Sequence, residues 1–152
     1  MKQRWQTATF TDLDNRELYA ALRLRQAVFA VEQTSIYLDL DDLDQAAIHM
    51  LVWDGGTLLA YQRCLPPGLQ EIESTLGRIV VGPQARGTGL GKLLVRRGIA
   101  HNLALWPQSN IRIHAQAHLE AFYGGLGFVT EGEVYDLDGI PHLEMVLQCN
   151  AG

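Results

Sequence analysis

The segment from Val81 to Lys92 constrains the fold of this chain more than any other part of its sequence. A valine-rich run precedes it, and glycines stand at positions 87, 89 and 91 within it. An apolar-periodic run follows, so the pattern predicts a strand, a glycine-rich loop and a helix. Glycines let the backbone approach an anion closely, and the first N–H groups of the helix point at that anion. The sequence therefore predicts a phosphate-binding loop.

Two common phosphate-binding patterns do not fit this segment. A Walker loop requires glycine at position 86 and serine or threonine after the lysine, where the chain has Arg86 and Leu93. A dinucleotide-binding pattern requires its third glycine at 92 or 94, where Lys92 and Leu94 stand. A purely structural alternative is that the glycines only form a strand-to-helix turn.

Basic residues are concentrated around this loop. Between positions 78 and 97 the chain has five basic residues and no acidic one: Arg78, Arg86, Lys92, Arg96 and Arg97. The whole chain has a net charge of −5, so the rest of it carries −10. A patch of one sign beside a helix N-terminus indicates a ligand with several phosphates.

The loop fits the pattern V-x-P-x-x-R-G-x-G-x-G, which resembles the acetyl-CoA pyrophosphate loop of the GNAT superfamily of N-acetyltransferases. The family's core R-x-x-G-x-G falls on Arg86, Gly89 and Gly91. Downstream, the run from Phe122 to Phe128 resembles the family's F-Y-x-x-x-G-F signature. Three further segments resemble the ElaA-type branch of this superfamily: 24–33, 115–118 and 138–142.

The resemblance implies that acetyl-CoA is the co-substrate. In this family the pantetheine arm lies between two splayed parallel strands, and the pyrophosphate lies on the glycine loop. Gln116 stands where many relatives have an asparagine that contacts the cofactor. The residues implied to contact the cofactor are Ile79, Val80, Val81, Arg86, Gly87, Thr88, Gly89, Leu90, Gly91, Lys92, Gln116 and Tyr123.

Acetyl transfer to an amine requires a neutral amine and a proton for the leaving thiolate. An amine with a pKa of about 10.4 is neutral in only about one of 2,500 molecules at pH 7, so a base or a water chain is expected. The candidate bases are Glu73, His118 and His142, and Glu73 ranks first because bases in this family often lie on its strand. Tyr123 is the candidate general acid for the CoA sulfur, and backbone N–H groups near Val81 are the candidate oxyanion donors.

Two charges in the predicted first helix are candidates for the acceptor side of the site. Leu18, Leu22, Arg25 and Phe29 fall within about 60° on a helical wheel, so Arg25 interrupts a stripe that should be buried. Glu32 follows on nearly the same side. Either the two charges bridge one another beneath the core, or they bind the acceptor together with His142.

The order of the predicted elements is β-α-ββ-β-α-β-α-β-β. It predicts one α/β domain over residues 1–152, with the GNAT fold implied by the resemblance: a mixed central sheet of about seven strands, a splayed parallel pair and about four flanking helices. The strand before the glycine loop is expected from about Gln70 to Val81. The first helix is expected to run to about Val31.

Composition excludes several other classes of protein. The acidic balance argues against nucleic acid as the main partner. The N-terminal residues contain no long apolar run, so we expect a cytoplasmic protein without a signal peptide or membrane span. Two cysteines are too few for a disulfide framework. A strand boundary between His114 and His118 argues against a metal pair, so no metal is expected.

The sequence thus predicts an acetyl-CoA-dependent N-acetyltransferase that acts by direct transfer to a primary amine of a small molecule or peptide. A non-catalytic acyl-CoA sensor is an alternative, and a nucleotide-binding module is a third. The acidic segment from Asp39 to Asp44 either attracts a cationic amine or forms a solvated loop. The acceptor and the oligomeric state, with a homodimer among the options, stay open.

Overall fold

The computed structural model describes residues 2–149, and a seven-stranded mixed sheet forms its centre. The strands are β1 (Gln3–Thr9), β2 (Ile48–Asp54), β3 (Thr57–Leu65), β4 (Ser74–Val81), β5 (Ile111–Gln116), β6 (Val129–Leu137) and β7 (Ile140–Leu147). The helices are α1 (Asn15–Arg25), α2 (Leu90–Leu105) and α3 (Glu120–Gly124). In the sheet the strands lie in the order β1-β2-β3-β4-β5-β7-β6.

The predicted fold class and order of elements are confirmed, with two differences in detail. Residues 2–149 contain three α-helices rather than about four. The first helix is α-helical only to Arg25 and continues as a π-helix over Gln26–Glu32. The strand before the glycine loop begins at Ser74 rather than near Gln70, so it is shorter than the sequence predicted.

Local sequence explains where α1 begins and how the last hairpin turns. The Asp14 side chain accepts a hydrogen bond from the Glu17 N–H, and the Glu17 side chain accepts one from the Asp14 N–H, which forms a capping box. The turn between β6 and β7 has Asp138 at φ 53° and Gly139 at φ 81°. Both values lie in the left-handed region that a two-residue hairpin of type I′ requires.

Helices cover the two faces of the sheet, as alternate residues of β2 show. Leu51 and Trp53 pack in the apolar cluster that includes Ala21 of α1. Met50 and Val52 point to the other face and pack in the larger cluster, which includes Leu94 and Val95 of α2. Within residues 2–149, the helices are all too short or too polar to span a bilayer.

The parallel strands β4 and β5 separate almost as soon as they pair. Their ladder has two residue pairs, Ser74 with Ile111 and Thr75 with Arg112. Both strands continue beyond these pairs but no longer pair with each other. The splayed parallel pair that the family resemblance implied is therefore present. Beyond Thr75, the edge of β4 that faces β5 has no strand partner for its backbone N–H and C=O groups.

A bulge in β4 accompanies this separation. Tyr61 of β3 lies opposite Val80, whereas Arg63 lies opposite Gly77, so β4 has one residue more than β3 between these pairs. Arg78 lies in the bulge with φ at 49°, a left-handed conformation that is uncommon for a residue with a side chain. Such a conformation is strained and persists only where surrounding contacts hold it.

Those contacts come from a network of three arginines and three aspartates. Arg25 Nη1 lies 2.8 Å from Asp44 Oδ1, and the Arg25 Nε lies 3.0 Å from Asp39 Oδ2. Arg63 binds the carboxylates of Asp41 and Asp44 at 2.8 and 3.0 Å. The network therefore ties the loop between α1 and β2 to α1 and β3.

Arg78 completes the network from β4. Its Nη2 donates to the Asp39 carbonyl at 3.0 Å and lies 3.3 Å from Asp41 Oδ2. Its guanidinium also lies 5.8 Å from the ring centre of Tyr37. Three of the four aspartates in the acidic segment that could have attracted a cationic amine are thus paired with arginines of the protein itself.

Removing one member of the network should be strongly destabilising. Arg25 is 1% exposed, and replacing it with methionine leaves buried carboxylates without their partner. We expect Arg25→Met to lower the free energy of unfolding by about 3 kcal/mol or more, measured by urea denaturation. Arg23→Met is the matched control, because Arg23 is exposed on the same helix and should change stability by less than about 0.5 kcal/mol. Equal stability of the two variants would contradict a structural role for Arg25.

The network should also make stability depend on pH in the acid range. Burial alone would raise the pKa of Asp41, but hydrogen bonds from Arg63 and its charge outweigh burial and lower the pKa to about 2. Because the folded pKa lies below the unfolded value of about 4, this stabilisation is complete above about pH 4 and is lost as the pH falls toward 2. Asp41→Asn should flatten the dependence of unfolding free energy on pH in this window. Asp42→Asn, an exposed neighbour, should keep the wild-type slope, and equal slopes in all three proteins would refute the assignment.

Candidate functional site

A cleft of about 560 Å³ opens where β4 and β5 diverge. Its walls combine residues of β4 and β5 with the π-helical segment, α3 and the turn between β6 and β7. Ten residues predicted for the site line it: Glu32, Ile79, Val80, Val81, Arg86, Gly91, Gln116, His118, Tyr123 and His142. The opening lies beyond the carboxyl ends of the parallel strands, where α/β sheets bind their ligands.

The glycine loop has the geometry of an anion-binding turn at one end of this cleft. Gly87 has φ at 77° and Gly89 has φ at 84°, which only glycine adopts without strain. Gly89 is the N-cap of α2, and no side chain caps the helix there. The first N–H groups of α2, from Leu90 to Lys92, therefore remain available to an anion, and the helix dipole favours negative charge at the same place.

Arg86 lies at the mouth of the cleft and forms a bidentate ion pair with Glu32. Its Nη1 and Nη2 atoms lie 2.8 and 2.9 Å from the two carboxylate oxygens of Glu32. The guanidinium lowers the pKa of Glu32, so the carboxylate stays ionised. The pair joins the π-helical segment to the glycine loop across the cleft opening.

Other basic residues near the loop divide into two groups. Lys92 and Arg96 are exposed on the first turns of α2. Arg97 instead stacks on Trp5, with its guanidinium 4.0 Å from the ring centre, and Arg78 belongs to the aspartate network. The positive stretch seen in the sequence is therefore only partly a ligand-binding patch.

Tyr123 lies on the opposite side of the cleft, on α3. Its ring makes edge contacts with Phe122 and Phe128, with ring centres 5.1 and 6.0 Å apart. Gly127 has φ at 107° and lets the chain turn back so that the Phe128 N–H donates to the Tyr123 carbonyl. The run from Phe122 to Phe128 thus fixes one tyrosine in place.

Tyr123 is 6% exposed, and its hydroxyl has no hydrogen-bond partner within the described part of the protein. Burial raises the pKa of Tyr123 to about 12. The group is therefore a neutral hydrogen-bond donor on a residue that lines the cleft.

Glu73, ranked first as a base, is not in this cleft. It precedes β4 and binds Arg112, with Glu73 Oε2 and Arg112 Nη2 2.7 Å apart. Hydrogen bonds from Arg112 lower the pKa of Glu73, which opposes proton uptake. The sequence pattern predicted that β4 begins near Gln70, and Glu73 was assigned to the strand for that reason.

Arg25 and Glu32 do not bridge one another, and they do not share a site. Arg25 is bound by Asp39 and Asp44 beneath the loop and does not line the cleft. Glu32 lines the cleft but is bound by Arg86. The helical wheel correctly indicated that Arg25 is buried, but it could not show that its partners come from the acidic segment.

The remaining predicted residues are brought to the cleft from β5 and β7. Gln116 lies opposite His142 on β7, and its amide nitrogen lies 3.2 Å from the Gln33 side-chain oxygen. His118 is exposed in the turn between β5 and α3 and lines the rim. His142 is 8% exposed and lines the wall. Across the cleft the Ser35 hydroxyl donates to the Asp138 carbonyl at 2.7 Å.

The structure adds a group of residues that sequence reasoning missed. His114 on β5 lies 2.7 Å from the Tyr135 hydroxyl and 2.9 Å from Glu71 Oε1. Donor atoms of Glu71, His114 and Glu144 lie within 4.8 Å of one another, and the hydrogen bond between His114 and Glu71 accounts for part of this closeness. The alternation of apolar and polar residues in β5 was a signal that could have found this group. It places the polar residues of β5 together on the face of the sheet away from α2.

Comparison with known proteins agrees with this geometry. Residues 40–149 match the family described as "Acetyltransferase (GNAT) domain". Protein ElaA of Escherichia coli K12 is 38% identical over 143 residues, which cover 93% of this chain and 94% of that protein.

Solved structures give the same answer for the whole fold. An acyl-CoA N-acyltransferase from Pseudomonas aeruginosa aligns with a TM-score of 0.91 at 42% identity, over 96% of this chain and 99% of that one. Escherichia coli ElaA aligns with a TM-score of 0.90 at 36% identity, over 97% and 100%. The chain belongs to the GNAT family of acyl-CoA-dependent acyltransferases and is ElaA-like.

Proposed function

We propose that the protein is an N-acetyltransferase that moves the acetyl group of acetyl-CoA to a primary amine by direct transfer. The observation that carries the proposal is the pairing of two features across one cleft. At one end is an uncapped helix N-terminus behind Gly87 and Gly89, and on the wall is Tyr123, a largely buried residue whose hydroxyl makes no hydrogen bond within residues 2–149. The first suits a pyrophosphate, and the second suits the sulfur of a thioester.

The cofactor would follow the open edge of β4. Its pyrophosphate would bind the N–H groups from Gly87 to Lys92, with the Thr88 hydroxyl already turned back to the Ala85 carbonyl. The pantetheine amides would bind backbone groups of β4 from Ile79 to Val81, which β5 leaves unpaired. The carbonyl oxygen of the thioester would accept a hydrogen bond from a backbone N–H near Val81 as it gains charge.

The energetics limit the role of Tyr123 to hydrogen bonding. With its pKa at about 12, complete proton transfer to a thiolate of pKa about 8.5 is unfavourable by about 5 kcal/mol. A hydrogen bond from the neutral hydroxyl stabilises the developing thiolate without that cost. Tyr123 therefore orients the sulfur and stabilises its charge as the carbon–sulfur bond breaks.

Turnover separates this proposal from a non-catalytic acyl-CoA sensor. Both would bind acetyl-CoA, but only the enzyme releases CoA thiol when an amine is supplied. A nucleotide-binding module would instead bind ATP in a way that acetyl-CoA does not displace. Thiol release across a panel of primary amines, together with ATP competition in a binding assay, decides among the three.

The phosphate loop can be tested at Gly89. We expect Gly89→Asp to abolish acetyl-CoA binding in calorimetry, because it places a negative charge where the pyrophosphate would lie. Gly89→Asn is the matched control, since asparagine has the same size and tolerates the left-handed conformation comparably. It should bind more weakly than wild type but more tightly than the aspartate variant. Unchanged affinity in a folded Gly89→Asp protein would remove the assignment of this loop.

Tyr123 can be tested by removing its hydroxyl alone. Tyr123→Phe should slow the chemical step by about 10- to 100-fold, the value of one hydrogen bond to a charged group, while acetyl-CoA affinity barely changes. Rapid-quench kinetics with a reactive amine measure that step. Tyr19→Phe serves as the control, because Tyr19 is exposed on α1. A Tyr123→Phe protein with the wild-type chemical rate would leave Tyr123 with a packing role only.

A further inference from the structure

The proposed transfer needs a group that takes a proton from the acceptor amine, and two histidines lie on the face of the sheet opposite α2. His114 on β5 pairs across the ladder with Glu144, and His142 on β7 pairs with Gln116. Both line the cleft. Their hydrogen bonds distinguish them.

Both ring nitrogens of His114 are already occupied. Its Nε2 lies 2.9 Å from Glu71 Oε1, and an ionised carboxylate only accepts, so Nε2 carries the proton of the neutral ring. Its Nδ1 lies 2.7 Å from the Tyr135 hydroxyl, which donates to the remaining lone pair. Neutral His114 therefore has no lone pair available to an amine.

His142 is arranged differently. Its Nδ1 lies 2.7 Å from the Ile140 carbonyl oxygen, which can only accept, so Nδ1 carries the proton of the neutral imidazole. The lone pair is then fixed on Nε2. In the part of the chain that the structure describes, the bond to Ile140 is the only hydrogen bond of the His142 side chain. The ring is held in place by burial and by Tyr135, whose ring centre lies 6.0 Å away.

The position of His142 suits contact with the acceptor. It lies opposite Gln116, the last residue of β5, where the gap between β4 and β5 has opened. It also lines the same cleft as Tyr123. His118 has neither property, because it is exposed at the rim and no hydrogen bond within residues 2–149 fixes its tautomer.

We propose that His142 is the general base of the reaction, with Nε2 as the atom that receives the proton; this inference rests on the proposed acetyl transfer. The acceptor ammonium gives one proton to Nε2, and the neutral amine attacks the thioester carbon. The carbon–nitrogen bond forms and the carbon–sulfur bond breaks. The second amine proton passes to the thiolate, which Tyr123 hydrogen-bonds, and the imidazolium returns its proton to solvent.

A base of this kind makes the rate depend on pH through His142 and its surroundings. The charged or titratable side chains that face this region from the neighbouring elements are Glu71, Arg78, His114, His118, Tyr135, Asp138 and Glu144. The test must therefore separate His142 from these neighbours, and from His114 above all.

His142→Asn provides that separation. The asparagine amide can still donate to the Ile140 carbonyl but has no group equivalent to Nε2. With acetyl-CoA and ethylamine, we expect kcat/KM for the amine to fall by about 100-fold at pH 7 and the acidic limb of the pH profile to move up toward the pKa of the amine. With 2,2,2-trifluoroethylamine, which is already neutral at pH 7, we expect the loss to be at least tenfold smaller. Raising the pH should restore the rate with ethylamine.

His114→Asn is the matched control and should keep the acidic limb of the wild-type profile. An unchanged acidic limb in folded His142→Asn, or equal losses with both amines, would overturn the assignment of His142 while leaving acetyl transfer intact. Wild-type protein that binds acetyl-CoA but acetylates no amine in the panel would overturn the proposed function, and this inference with it. Circular dichroism and thermal melting establish that each variant is folded.

Discussion

The parallel ladder between β4 and β5 ends after two residue pairs, and the whole cleft depends on that early end. A longer ladder would close the sheet and satisfy the backbone groups that stay unpaired here. Because the ladder ends, β4 can present its N–H and C=O groups to an extended molecule as a neighbouring strand would. The glycine loop at the end of β4 and Tyr123 beside β5 then lie on either side of one opening. Sheet geometry, more than any single side chain, thus creates the site.

The arginine–aspartate network holds the strand in this open form. Arg78 adopts a left-handed backbone conformation in the bulge of β4, and its side chain is bound by Asp39 and Asp41. Buried charges are costly to desolvate, so such a network is not simply a source of stability. We interpret its role as conformational specificity, because it holds the loop between α1 and β2 in one position. This loop forms part of the cleft wall. An apolar cluster would bury more surface but would fix the loop less specifically.

Sequence patterns predicted the parts of this protein that depend on local chemistry. The glycines at 87 and 89 indicated the tight loop before α2, where both adopt left-handed φ values. Contacts between residues far apart in the sequence could not be predicted in this way. Nothing local to Arg25 points to Asp44, and nothing local to His114 points to Glu71 or Tyr135. Glu73 was misplaced because three or four residues of β4 were over-predicted, and strand ends are decided by tertiary pairing rather than by propensity.

The pairing of Arg86 with Glu32 has a consequence for how ionic strength acts on cofactor affinity. The pair is exposed, so salt screens it, and salt equally screens attraction between a cofactor phosphate and Arg86. A phosphate that binds Arg86 must displace Glu32. Added salt weakens both the new phosphate–Arg86 interaction and the Glu32–Arg86 pair that it replaces. The contribution of Arg86 to salt dependence therefore largely cancels. Lys92 and Arg96, which form no ion pair within residues 2–149, would set the slope instead, and affinity would fall with salt less steeply than the number of cations around the loop implies.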